Sequence, residues 1–384
     1  MGKIKKIGLV LLIIMSLSCS TVNAKGAYSQ DVKSILKQSN VMSVDVKGEK
    51  ICRKINLKEL NSKKSKLSKS DLNEILLALG YSQNEVSNMT QSQINKMFLD
   101  CENISTTESY IKVSEDGTTK NLNKDTCIAE AESIQQNDAL NTIKSPALTT
   151  YLSPVYSTAA YSLSSNNGES TNTSTDGYMK IITTSSYISP NSSSSYYQTG
   201  WYYFFSTFTW LTSPSNRLTD AMSMYAPGFA WSQDSANYNC TMSYTLRTRN
   251  FRSLPYYDNT SDQNYMTTKT TQDLSINKDG LFYKWKLPTN YSAISVNPVT
   301  GVQTILTQTV FNLSYTVLGK ARVSQYSQPC QFNLFSKYIH VIAYKSIAPS
   351  YPWTLGSTPG VTLNYVSGLT SATYSWFNST QYNP

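Results

Sequence analysis

From residue 240 onward, apolar and polar residues alternate in short runs. Cys240, Met242, Tyr244 and Leu246 interleave with Thr241, Ser243, Thr245 and Arg247. Phe311, Leu313, Tyr315 and Val317 interleave with Asn312, Ser314 and Thr316. Cys330, Phe332 and Leu334 continue the pattern, as do Val361, Leu363 and Tyr365, then Ala372, Tyr374 and Trp376. Leu281, Tyr283, Trp285 and Leu287 share one face, with Lys284 and Lys286 on the other. A period of two places successive side chains on opposite faces, so these runs are antiparallel strands with one wet face. Many such runs separated by turn residues predict an all-β domain, an antiparallel β-sandwich or Greek-key-like fold.

One run departs from simple alternation. Seven of the ten residues from Trp201 to Trp210 are aromatic. Trp201, Tyr203 and Phe205 fall on one face; Tyr202, Phe204, Phe208 and Trp210 fall on the other. A pore-lining strand keeps one face polar, and a binding platform exposes rings on one face only. Rings on both faces predict a central strand buried on both sides, each ring removing roughly 150–250 Å² from water.

The composition changes near residue 148. All six tryptophans and 25 of the 28 tyrosines lie beyond it. Before it, Leu72, Ile75, Leu76 and Leu79 make a helical stripe. Ser70 is placed to cap that helix and Gly80 to end it. Ser82 with Glu85, and Thr90 with Gln93, are capping boxes for two short helices. A further helix is expected over 29–38, and alternation around Asp116-Gly117 predicts a hairpin within 108–123. The expected class is therefore α+β and multidomain. Residues 25–148 form a mainly helical module with a β-hairpin, and 149–384 form a Tyr/Trp-rich β-sandwich domain.

Residues 1–24 carry three lysines, an apolar run from Ile7 to Met15 and a small-residue end at Ala24. They predict a secretory signal peptide, with lipid anchoring through Cys19 as the lesser alternative. No later segment has the length of about 20 apolar residues that a membrane-spanning helix needs. The full chain carries a net charge of +9, and losing three leader lysines leaves +6. A mildly basic exported chain favours anionic surfaces. No arginine-rich cluster points to nucleic acid.

Catalytic chemistry is sparsely supplied. His340 is the single histidine, set in a strand pattern over 338–344, and reads as structural or surface-exposed. No GxSxG, CxxC or HExxH motif occurs. No carboxylate follows Asp279. Asp220 and Asp234, near Arg217, are the one pair worth testing for hydrolysis, which needs two carboxylates across a cleft; both read as surface residues. Asp258 to Asp262 offers oxygen ligands for calcium without the full loop signature. The expectation is no metal, no cofactor and no catalysis.

The Ser/Asn-rich runs 164–175 and 190–195 read as exposed loops. Tyr196 and Tyr197 follow the second and are the candidate binding residues for a sugar. Cys52, Cys101, Cys127, Cys240 and Cys330 remain after the leader, an odd number. Cys240 and Cys330 share the apolar side of their strand patterns, and a disulfide is expected between them. The leading reading is a secreted or surface-exposed binding protein for a cell-surface glycan, wall polymer or protein. A β-pore-forming toxin is the alternative, and a carboxylate-dependent hydrolase comes third.

Overall fold

The computed structural model describes residues 40–44, 49–57, 67–98, 101–114, 119–144, 175–188, 201–214, 217, 219–226, 229–276, 280–323, 333–341, 346–349, 361–364 and 370–378. The expected leader, the expected helix over 29–38, Tyr196, Tyr197 and Cys330 lie outside them. Among the described residues the fold is mostly antiparallel β-sheet with a few helices.

The larger sheet has eleven strands. Its main path runs β1 (Asn40–Val44), β2 (Lys50–Asn56), β3 (Cys101–Ser114), β5 (Thr175–Ile188), β6 (Trp201–Trp210), β14 (Gln303–Val323), β9 (Asn239–Arg252) and β10 (Tyr257–Lys269). Three strands lie off this path. β4 (Thr119–Leu122) pairs with β3, while β8 (Phe229–Trp231) and β13 (Tyr291–Val296) pair with β14. A second, five-stranded sheet orders β11 (Leu274–Ile276), β12 (Gly280–Lys286), β7 (Thr219–Tyr225), β15 (Asn333–Val341) and β18 (Thr370–Asn378). β16 (Ser346–Pro349) and β17 (Val361–Asn364) form a separate pair.

The two larger sheets share one core. Phe204, Phe208 and Trp210 of β6, Tyr315 of β14, Met222 and Met224 of β7, Tyr283 and Trp285 of β12 and Tyr338 of β15 all belong to it. Gly319 of β14 sits where the sheets approach closely. A Cβ there would meet Leu281 Cδ2 at 2.4 Å and Trp231 Cζ3 at 2.6 Å.

The opposite face of β6 is covered by helices. Tyr203 and Phe205, with Leu318 of β14, join a second core with Leu72, Ile75, Leu79, Met97 and Phe98. These come from α1 (Lys69–Ala78) and its end, and from α3 (Gln91–Phe98). The run Trp201–Trp210 is thus a central strand with a core on each side, as its two apolar faces require. Trp201 itself is half-buried, with Arg322 at 5.3 Å and Lys320 at 5.2 Å from its ring centre.

Local chemistry sets the helix ends. Ser68 caps α1 and forms a capping box with Asp71, two residues before the expected Ser70. Gly80 takes φ +100° just past the helix. Its N–H and that of Tyr81 bond back to the carbonyls of Leu77 and Leu76, a Schellman end that suits glycine. The Ser82–Glu85 box opens α2 (Gln83–Ser87), and Thr90–Gln93 opens α3, both as expected. β3 and β4 form the expected hairpin. A fourth helix, α4 (Lys124–Lys144), was not foreseen; Asn123 caps it, and Cys127 and Ala131 bury against Tyr110 and Tyr178.

The composition boundary at 148 does not divide the sheet. β3 pairs with β5 over nearly its full length, and the helix-side core mixes residues from both sides of the boundary. The segment before 148 is also less helical than expected, because β1 to β4 belong to the large sheet. The helices form a cover over sheet strands drawn from both halves of the chain.

Candidate functional site

Buried charges fasten this helical cover. Lys180 of β5 lies 2.8 Å from Glu85 and donates to the Gly80 carbonyl at 2.7 Å. Thr209 of β6 donates to the other Glu85 oxygen at 2.7 Å. Glu108 of β3 is fully buried, pairs with Arg53 and Lys124, and accepts from the Tyr110 hydroxyl. Burial alone would raise the Glu108 pKa; Lys180, Tyr110, Arg53 and Lys124 outweigh it and hold the carboxyl below its ordinary range. Each member is engaged in holding layers together.

A second buried cluster joins the two sheets. Asp220 of β7 and His340 of β15 are both fully buried, with His340 Nδ1 3.0 Å from Asp220 Oδ2. The Tyr338 hydroxyl donates to the same carboxylate, and Trp210 Nε1 donates to Tyr338 at 3.1 Å. Burial, then the Asp220 charge, push the Tyr338 hydroxyl pKa far up. Asp220 is therefore a core residue, which corrects its expected surface placement. Two inward-facing strand positions brought it there, and alternation alone does not separate a buried ion from an exposed one.

Asp234 lies elsewhere. Its side chain accepts from the N–H of Ala236 at 2.9 Å and caps a short turn over 235–237. No hydrogen bond or ion pair joins Asp220 to Asp234 among the described residues. Arg217 donates to the carbonyls of Pro288 at 2.8 Å and Val310 at 3.3 Å.

Asp258 and Asp262 do not converge on a cation. Each is gripped by two parallel hydrogen bonds from an arginine of the neighbouring strand: Asp258 by Arg249 at 2.9 and 2.7 Å, Asp262 by Arg247 at 2.8 Å twice. These bonds lower both carboxyl pKa values. The stretch is strand β10, not a metal loop.

Cys240 is fully buried and carries a free thiol, with Trp285 Nε1 donating to its sulfur at 3.0 Å. Burial pushes that thiol up to about 12. Its expected partner Cys330 and the candidate binding residues Tyr196 and Tyr197 lie outside the described residues.

A cleft of about 540 Å³ opens beside β8, lined by Phe229, Trp231, Ser232, Tyr238, Thr271 and Leu274. Its aromatic members are engaged in the core; Trp231 packs edge-on to Phe204 at 5.9 Å, and the Tyr238 hydroxyl donates to the Ser232 carbonyl at 2.5 Å.

The accessible candidate is different. Past Phe311 the strands β14 and β9 leave the sandwich and run on with β13 and β10 as a four-stranded blade, ordered β13-β14-β9-β10. The pairing of β14 with β9 slips between Phe311 and Ser314, and Asn312 there takes φ +55°. This bulge marks the exit, since an extra residue bends and twists the strand locally. On the sandwich side, residues 313–319 are all buried; on the blade side, 303–309 are half-buried or exposed.

The blade gathers most of the exposed apolar surface; Met266, level with Ser243, and Ile276, on β11, are the exceptions. The nine exposed large hydrophobic residues of the described chain all lie between Leu254 and Val299. Leu254, Tyr256, Tyr257, Ile294, Val296 and Val299 cluster at its far end, Val299 at 91% exposure. The two turns there are tied together, with Ser253 N–H donating to the Gln303 carbonyl at 2.9 Å and Gln303 N–H to Ser253 Oγ at 2.8 Å. Sequence reading missed this surface. One signal was present: residues 287–319 contain no charged side chain at all.

No family model matches the chain, and no curated protein matches it. Among solved structures, it is similar to a collagen-binding domain from a Staphylococcus aureus adhesin, at 10% identity, 45% of this chain, 86% of that chain and a TM-score of 0.14. Clostridium perfringens delta-toxin matches at 9% identity, with 52% and 85% covered and a TM-score of 0.21. A pore forming protein matches at 7% identity, with 53% and 81% covered and a TM-score of 0.15. At these TM-scores the likenesses carry no argument about this chain. Among the described residues, no helix is long and apolar enough to cross a membrane.

Proposed function

We propose that this chain is an exported, non-catalytic binding protein that engages a cell surface through the far end of the blade. The observation that carries the reading is the segregation of exposed hydrophobic residues. Among the described residues the sandwich buries its rings, while seven of the nine exposed large apolar side chains lie on the blade or its turns; Met266 and Ile276 are the exceptions. Contiguous apolar patches on soluble proteins mark interaction sites. The titratable clusters favour binding over catalysis, because Asp220, His340, Glu85, Lys180 and Glu108 are buried in layer contacts.

The pore-forming alternative is the weaker reading for this blade. A bilayer-spanning hairpin needs one apolar face. In β9 and β10, one face carries Arg247, Arg249, Asp258 and Asp262, and the other carries Thr248, Asn250, Asn259 and Ser261. Neither face suits lipid along its length. Export after loss of residues 1–24 and accessory contacts from Tyr196 and Tyr197 belong to the same proposal, and so does a Cys240–Cys330 bridge, which would oxidise the Cys240 thiol that is free here; non-reducing peptide mapping of exported protein decides the bridge.

The function is tested by saturation binding of labelled protein to intact cells and to isolated wall polymer. The expected result is saturable binding that Val299→Asp weakens without lowering Tm. Saturable binding untouched by that change would move the contact off the blade, and no binding to any surface would overturn the reading.

A further inference from the structure

We infer that the far end of the blade seats in the interface of an anionic lipid bilayer. The inference rests on the proposed surface-binding role and names its partner. Three observations converge on lipid rather than on a sugar or a folded protein.

The first is the satisfied set of N–H groups in the most exposed turn. Entering an apolar phase is costly for any backbone N–H or carbonyl that loses water without a replacement. In the turn after β13, Asn297 N–H donates to the Val302 carbonyl at 2.9 Å and Gly301 N–H to the Asn297 carbonyl at 2.8 Å. The Asn297 side-chain oxygen accepts from the N–H groups of Val299 at 2.9 Å and Thr300 at 3.1 Å. Val302 N–H reaches Thr300 Oγ1 at 3.4 Å, and Pro298 has no N–H to satisfy. Every N–H from Asn297 to Val302 is thus met within the turn. Gly301 closes it with φ +66°, in the left-handed region where glycine is unstrained.

The second is the kind of side chain presented. Val299, Ile294 and Val296 are bare aliphatic groups at 91%, 64% and 57% exposure. Leu254 and Tyr256 stand on the neighbouring turn at 63% and 75%. Tyr257, which follows the neighbouring turn, has an apolar body and a polar tip, the combination favoured at headgroup level. The exposed amides of Asn250 and Asn259 stand behind the two turns, and the Asn297 side-chain oxygen at the tip is already used inside its turn.

The third is charge. Arg252 is the single charged residue within 250–257 and 287–319, and it is exposed at the end of β9. The nearest carboxylate along the chain, Asp258, is held by Arg249. The tip therefore presents one cation and no free anion, which complements a phosphate-bearing surface. Asp258 stands level with Ile294, and Arg249, Arg247 and Asp262 lie farther back, so this charged ladder limits entry to the two turns. The mode is shallow seating, not spanning.

The test is co-flotation of the full chain, as exported, with phosphatidylcholine vesicles with and without phosphatidylglycerol, alongside the cell-binding assay. Vesicle binding that rises with phosphatidylglycerol and falls about tenfold or more in Val299→Asp supports the inference, given the apolar area lost. Leu254→Ser should show the same direction, and Arg252→Gln should reduce the preference for the anionic vesicles. Tm of each variant checks folding, and Val299→Ser replaces any variant that fails to fold. If vesicles are not bound but cells or wall polymer are, and Val299→Asp abolishes that binding, the lipid inference fails while the surface-binding role stands. If Val299→Asp alters neither vesicle nor cell binding, both fail. A chain that self-associates without lipid and dissociates on Val299→Asp would assign the patch to a second copy and overturn the inference.

Discussion

The two ends of β14 are one strand under two regimes. Between Leu313 and Ala321 it carries Leu313, Tyr315, Val317, Leu318 and Ala321, all at 0% exposure. Between Gln303 and Thr309 it carries Ile305 and Leu306 among threonines and glutamines, none of them buried. Backbone pairing continues on both sides of the bulge at Asn312. What changes is the third dimension: sandwich strands have the second sheet on one face and helices over part of the other, while the blade has neither. Backbone ladders and exposed cross-strand pairs such as Arg247–Asp262 therefore hold the blade's shape, and burial holds the sandwich. The comparison explains why the contact surface is on the blade. Most apolar residues in the sandwich are already occupied; most on the blade are still available.

The largest effect that can break this contrast is in the doubly covered strand. Phe205→Ala should cost about 3–5 kcal/mol in urea unfolding, because Phe205 is fully buried under the helices. A loss below 1 kcal/mol, on the same cavity reasoning, would mean that the helical cover is not packed there. Lys180→Met tests the cover from its polar side. It leaves Glu85 buried without its cation, and breaking a buried pair this way costs roughly 3–5 kcal/mol. A neutral result would show that water reaches Glu85.

Gly319→Ala probes the opposite face of the same sheet, on the neighbouring strand β14 beside Phe204. The new Cβ would press on Leu281 and Trp231, and overpacking of this kind costs about 1–3 kcal/mol. An unchanged midpoint would place the two sheets farther apart than described. The smallest effect belongs to the blade. A double-mutant cycle on Arg247→Ala and Asp262→Ala should give a coupling of no more than about 1 kcal/mol, because both side chains are exposed and screened. A coupling comparable to the Lys180 effect would mean that something covers the blade.

The same contrast decides what could be read from the sequence. β6, β9, β12 and the inner half of β14 were legible because burial on a defined face imposes alternation or an aromatic run. The helix starts at Ser82 and Thr90 were legible because capping chemistry is local. β10 was not: with both faces in water, Tyr257–Lys269 has no apolar period to display, and its aspartates suggested a cation loop. β1 and β2 were missed for a related reason, since only Ile55 and Leu57 of the described second segment are fully buried. The continuity of the sheet across residue 148 was hidden by composition. Helices and strands on the two sides differ in residue usage, but the β3–β5 ladder is made by backbone groups that every residue carries. For the candidate site, residue type misled. Asp220 and His340 attracted attention and proved to be internal, and Asp234, Asp258 and Asp262 proved to be a turn cap and cross-strand ion pairs, while the turn over 297–302 carried no chemistry that marks a site.

Hydroxyl-radical footprinting of the folded, monomeric protein tests the central contrast most directly, because it reads side-chain exposure residue by residue. Tyr315, Tyr338, Phe204 and Phe205 should stay unmodified until the chain unfolds, while Leu254, Tyr256, Tyr291 and Val299 should be modified at rates close to those of the unfolded chain. Protection of Leu254, Tyr256 and Val299 equal to that of Tyr315 in a monomer would show the blade to be covered, and would contradict the account.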